Sequence, residues 1–162
     1  MYSTVLNKPR TSGRFANLMD LYEQNYLLMR LLAPELRAMD GGDFVSHAPG
    51  AMPLELREVN HSRYTTSFKL TYRFSDSSRH RKTLEPDLDI RLYHDARVCE
   101  VMSGLLSEGR LEIRRTRDLE EGRRLNRFLN KWLSYCLRQG HGFSLDQSEQ
   151  QIPRLETYCV QC

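Results

Sequence analysis

The spacing of hydrophobic and polar positions changes along this chain. From Arg14 onward, Phe15, Leu18, Met19, Tyr22, Tyr26, Met29 and Leu32 recur three and four residues apart. That is the period of an amphipathic helix. Leu21, Leu28 and Leu36 widen the stripe, so the helix is predicted to bury a broad face. Pro34 should end or kink it, because proline lacks the amide donor and clashes with the preceding turn. Asp40-Gly41-Gly42-Asp43 is a break, and 41–53 reads as loop around Pro49, Gly50 and Pro53.

The period then becomes two. Leu54 and Leu56 alternate with Glu55 and Arg57, and Asn60-His61-Ser62 has turn composition. Across 63–74, Tyr64, Phe68, Leu70, Tyr72 and Phe74 point one way; Arg63, Thr65, Ser67, Lys69, Thr71 and Arg73 point the other. One wet face favours an antiparallel sheet. A polar, basic connection follows, with Arg79, His80, Arg81 and Lys82 before Pro86. If His94-Asp95-Ala96-Arg97 is a four-residue hairpin loop, Tyr93 pairs with Val98, Leu92 with Cys99, Arg91 with Glu100 and Ile90 with Val101. Apolar then meets apolar and cation meets anion; a slip of one residue would destroy both matches. Ser107-Glu108-Gly109 signals another turn, and Leu111 and Ile113 mark a fifth strand.

A last helix is predicted over Asp118–Gln139, with Leu125, Phe128, Leu129, Trp132, Leu133, Cys136 and Leu137 on its apolar side. Asp118 and Glu121 have capping-box spacing, Glu120 can pair with Arg123 or Arg124, and Gly140 is the expected C-cap. The order is helix, strands, helix. Strands that run together rather than alternating with helices imply an α+β fold. The expectation is an antiparallel meander of about five strands with both helices on its aromatic face. Residues 1–13 read as a flexible arm, 14–143 as one domain and 144–162 as a mobile Gln- and Ser-rich tail.

Composition narrows the functional classes. The chain has 162 residues, 40% hydrophobic and 28% charged, long enough for a real core. It has no apolar run long enough to span a membrane and no export signal at its start. The net charge of +3 is too balanced for a dedicated nucleic-acid binder, but 20 of the 24 basic residues are Arg. Arginine's planar fork suits carboxylate and phosphate, so an anion-binding surface is the functional reading of that bias. Cys99 and Cys136 fall at apolar positions. Cys159 and Cys162 form a single C-x-x-C with no second knuckle, while His47, His61 and His80 are scattered in loops. No metal site and no cofactor are expected. Walker, dinucleotide-glycine, His-Glu-x-x-His and nucleophile-elbow motifs are absent from the sequence.

The one compact cluster of reactive side chains is Arg91-Leu92-Tyr93-His94-Asp95. His94 could serve as a general acid–base oriented by Asp95, with Tyr93 or Arg91 holding a substrate. Arg63 is a candidate anion ligand; Tyr64 is assigned to the core face and Thr65 and Thr66 to ordinary strand positions. Asn126 and Asn130, one turn apart, could meet a ligand, with solvent the more ordinary partner. The Arg114–Arg127 run could engage RNA or an acidic partner, but Asp118, Glu120 and Glu121 interleave with it and favour a self-paired, solvated face.

Several of these segments together resemble the YqiB-like family of proteobacteria, a domain of unknown function. They are Met19-Asp20-Leu21-Tyr22-Glu23-Gln24-Asn25-Tyr26 with Pro34, Arg63-Tyr64-Thr65-Thr66, Arg91-Leu92-Tyr93-His94-Asp95-Ala96 with Glu100-Val101, and Asn126-x-Phe128-Leu129-x-x-Trp132-Leu133-x-x-Cys136-Leu137-x-x-Gly140. The resemblance spans about 14–143, leaves Cys159 and Cys162 outside, and implies a cytoplasmic, single-domain bacterial protein with no established reaction. The functional expectation is a non-enzymatic binding or regulatory module for an anionic metabolite, nucleotide or partner protein. It would make contact through Arg63, Arg91, Tyr64, Asn126 and the His94-Asp95 hairpin tip. The alternatives are the His94 acid–base enzyme and RNA or ribosome association through Arg114–Arg127.

Overall fold

A computed structural model describes residues 14–73, 86–105 and 119–146. Helix α1 (Arg14–Leu32) leads through a short 3-10 turn (Leu36–Ala38) into strands β1 (Phe44–Ser46), β2 (Leu54–His61), β3 (Thr65–Tyr72), β4 (Asp87–Tyr93) and β5 (Val98–Leu105), and helix α2 (Leu119–Gln139) follows. The five strands form one antiparallel sheet in chain order, β1-β2-β3-β4-β5. Both helices pack against the sheet and against each other, as the α+β reading anticipates.

The period-two pattern becomes a two-faced sheet. Leu54, Leu56, Phe68, Leu70, Leu88, Ile90, Leu92, Cys99 and Val101 are buried beneath the helices, against Met29 and Leu32 of α1 and Leu125, Leu129, Leu133 and Cys136 of α2. Each such leucine or isoleucine contributes about 1.5–3 kcal/mol through burial. Trp132 stands edge-on to Tyr72, ring centroids 5.4 Å apart. The outer face carries Arg73 and Arg57 on the Glu55 carboxylate, and Lys69 on Glu58 at 3.0 Å. The β4–β5 register is the one the apolar and charge matching selects: Tyr93↔Val98, Leu92↔Cys99, Arg91↔Glu100 and Ile90↔Val101. Helix α1 stops at Leu32, before Pro34, and Gly140 closes α2 at φ 90°, a backbone conformation that costs glycine little.

Several expectations change. The 41–53 loop contains β1, a three-residue edge strand too short to show a period. The expected fifth strand at Leu111 and Ile113 lies outside the described residues, as do 1–13, Phe74, Asp118 and Cys159–Cys162. The turn read at Asn60-His61-Ser62 falls later: Asn60 and His61 still pair with Ser67 and Thr66, and Ser62–Tyr64 make the reversal. Tyr64 is therefore a turn residue, 51% exposed, and not part of the core face. Its neighbour Arg63 lies over the ring, 5.0 Å from the centroid.

Candidate functional site

The site grows out of an irregularity in β2. Regular alternation from Leu54 and Leu56 would put His61 on the outer face. Between the Arg57↔Lys69 and Asn60↔Ser67 pairs, β2 holds one more residue than β3, and Glu58 takes φ 53°. This bulge reverses the phase of the strand. Val59 turns inward and is buried, and His61 turns inward opposite Thr66. His94, the residue after β4, lies next to the same turn, its amide donating to Tyr64 O at 2.9 Å.

Three side chains thus meet at one end of the helix-covered face. Thr66 Oγ1 lies 2.7 Å from His94 Nε2 and 2.9 Å from His61 Nδ1, and His61 Nε2 lies 2.5 Å from Met39 O. With both imidazoles neutral, hydrogen-bond accounting sets the direction of the chain. A carbonyl only accepts, so His61 Nε2 donates to Met39 O. His61 Nδ1 then accepts from the Thr66 hydroxyl, whose oxygen accepts from His94 Nε2. His94 Nδ1 is left with a lone pair, buried and without a partner. The His94 pKa is depressed by burial first, then by Arg37, His61 and Arg30, with Asp95 opposing. Arg30 and Arg37 are exposed and pair with no carboxylate among the described residues.

This geometry separates the residues that the sequence grouped. Asp95 is exposed and does not hydrogen-bond His94; Thr66 orients the ring instead. Arg91 and Tyr93 alternate with buried Leu92 and so lie on the opposite face of the sheet. There the Tyr93 hydroxyl donates to Glu100 at 2.7 Å, and Tyr22 of α1 lies near the same carboxylate. Burial and that carboxylate push the Tyr22 phenol up to about 12. Arg63 and Tyr64 remain at the His94 end of the sheet. Asn126 is neither solvated nor open to a ligand. It is fully buried, its Oδ1 accepting from Val101 N at 3.1 Å and its Nδ2 donating to Gly122 O at 2.8 Å, while Asn25 Nδ2 donates to its carbonyl at 3.1 Å. It ties α1, α2 and β5 together.

Two site residues, His61 and Thr66, are not grouped by the sequence reading, although Val59, an apolar residue out of phase with Leu54 and Leu56, marks the bulge that unites them. A second signal is Thr66 itself, a polar residue in phase with Phe68 and Leu70. Another histidine, His141, is buried, has Ser46 Oγ at 3.2 Å from Nδ1 and joins β1 to the turn after α2. No group of three or more metal-ligating side chains occurs among the described residues.

The fold and the residues that build it belong to a recognisable class. Over residues 27–142 the chain matches the family described as "Protein of unknown function (DUF1249)", and it belongs to that family. Among its relatives is the protein described as "Uncharacterized protein YqiB" in Escherichia coli K12, 31% identical over 136 residues, which cover 81% of this chain and 94% of the relative. The protein of the same description from Escherichia coli O157:H7 matches to the same extent. No solved structure matches.

Proposed function

We propose that this protein is a binding module for a small anion, and that the His61–Thr66–His94 end of the sheet is its site. The observation that carries the reading is the hydrogen-bond chain ending at an unpartnered His94 nitrogen, within electrostatic reach of two arginines that have no carboxylate partner among the described residues. Arg30 and Arg37 supply charge, Arg63 and Tyr64 stand at the rim, and neutral His94 accepts a hydrogen bond. A ligand with a phosphate or carboxylate for the arginines and a hydroxyl or amine donor for the His94 nitrogen fits that set. No described helix is long and apolar enough to cross a membrane. Cys99 and Cys136 are free and buried, which supports a cytoplasmic setting.

The test is thermal unfolding of the full chain at pH 7.5 with inorganic phosphate, citrate and nucleoside monophosphates. A ligand at 100 times its dissociation constant adds about 2.7 kcal/mol to the folded state. That raises the midpoint by roughly 5–10 °C for a domain of this size. The Arg30→Ala/Arg37→Ala double variant should lose the shift, and Arg91→Ala, on the opposite face, should keep it. A shift indifferent to Arg30 and Arg37, or lost on changing Arg91, overturns the placement.

The free nitrogen also favours a second reading, an acid–base role for His94 with Thr66 and His61 as positioning residues in place of Asp95. Under that reading Thr66→Val displaces the pH profile of turnover of a bound ligand. A binder with no turnover of any ligand that shifts the midpoint removes it.

A further inference from the structure

Helix α2 separates its charges by sign along its length. Its two acidic residues, Glu120 and Glu121, both lie in the first turn, and Glu120 meets Arg123 at 3.5 Å. From Gly122 to Leu145 the chain has no acidic residue. At 100° per residue, Arg124, Arg127, Lys131, Tyr135 and Arg138 fall within an arc of about 80°, and the four cations extend along about 21 Å of axis. All five side chains are exposed, Tyr135 by 48%. None of the four cations has an ion-pair partner among the described residues. The opposite side of the helix is committed to the core through Leu125, Leu129, Trp132, Leu133 and Cys136.

We infer that this stripe is a docking surface for single-stranded nucleic acid. The charges form a line with an exposed aromatic ring in it. That is the combination that tracks a phosphate backbone while a base stacks. Three of the four cations are arginines, whose forks hold phosphate oxygens bidentately. A membrane surface is disfavoured, because an interfacial helix needs a free apolar face and this one is buried in the core. The balanced net charge argues against nucleic acid only if the acids are interleaved with the bases. In the folded helix they sit at one end.

Fluorescence anisotropy of the full chain with labelled 15-nucleotide uridine and thymidine oligomers tests this, with a poly-glutamate competitor. Four phosphate contacts at a slope near 0.7 each weaken binding about 50-fold between 50 and 200 mM salt. Arg127→Gln/Lys131→Gln, both solvent-facing, should halve the slope and leave about a 7-fold loss over the same range. Tyr135→Ala should weaken binding with the slope unchanged. Equal affinity for the two oligomers assigns recognition to the backbone and base faces, and preference for uridine adds the 2′-hydroxyl. No salt-dependent binding at 50 mM, a slope unaltered in the double variant whose circular dichroism matches the parent, or tighter binding to poly-glutamate than to either oligomer overturns the inference.

Discussion

Thr66 is the residue on which the site turns. It is fully buried at an inward strand position, and its hydroxyl is shared by two imidazoles. Thr66→Val keeps the shape and removes the bridge, leaving His61 Nδ1 and His94 Nε2 without a partner. Each unsatisfied buried group costs about 1–3 kcal/mol. The variant should unfold at a clearly lower temperature, and Thr66→Ser should recover most of the loss. Equal midpoints for Val and Thr would show that the hydroxyl carries no stability. Gly104 obeys a packing rule of the same kind. A Cβ built there would run into Leu88 Cδ2 and come within 3.6 Å of Leu125, and both leucines are buried.

Among the elements, the β4–β5 hairpin and the paired helices carry the geometry. The hairpin turn holds Arg97 at φ 55°, a left-handed conformation that costs an ordinary residue roughly 1–2 kcal/mol. Arg97→Gly relieves that strain and gives back about 0.5–1 kcal/mol in chain entropy. The expected result is a small net stabilisation in urea unfolding; a loss of more than about 1 kcal/mol would assign the Arg97 side chain a role of its own. Asn126 does the opposite work between helices. Asn126→Ala strands the Val101 amide and leaves Asn25 only its bond to the main-chain carbonyl of residue 126, for an expected cost of about 1–3 kcal/mol with the m-value unchanged.

At the scale of the molecule, His94 and His141 set an acid limit. The His94 pKa is depressed by burial and by Arg37, His61 and Arg30, with Asp95 opposing; that of His141 is depressed by burial and His47, with Ser46 opposing. Both bind a proton more readily unfolded, near pH 6.5, than folded. Their contribution to stability is present above about pH 6.5 and is lost as the pH falls through the folded values. Asp87, raised by burial, acts with the opposite sign in the lower carboxylate range, where its contribution is lost as the pH rises. The unfolding midpoint should therefore decline between pH 7.5 and 5, and His94→Gln/His141→Asn should flatten that decline. An equally steep decline in the double variant would place the acid limit elsewhere.

The amino-acid sequence by itself determined the helix ends at Pro34 and Gly140, the α+β order and the hairpin register. Each of these is a local matter of period, backbone sterics or matching between near neighbours along the chain. Tertiary structure alone decided the site. A one-residue bulge turned His61 inward to Thr66 and His94, and which side chains it would bring together is not a local property of β2. Strand alternation sent Arg91 and Tyr93 to the other face. Helix packing buried Asn126, which looks like a surface residue in the sequence. Adjacency in sequence grouped Arg91 through Asp95; the pleat of the strand divided them, because successive side chains on a strand point to opposite faces.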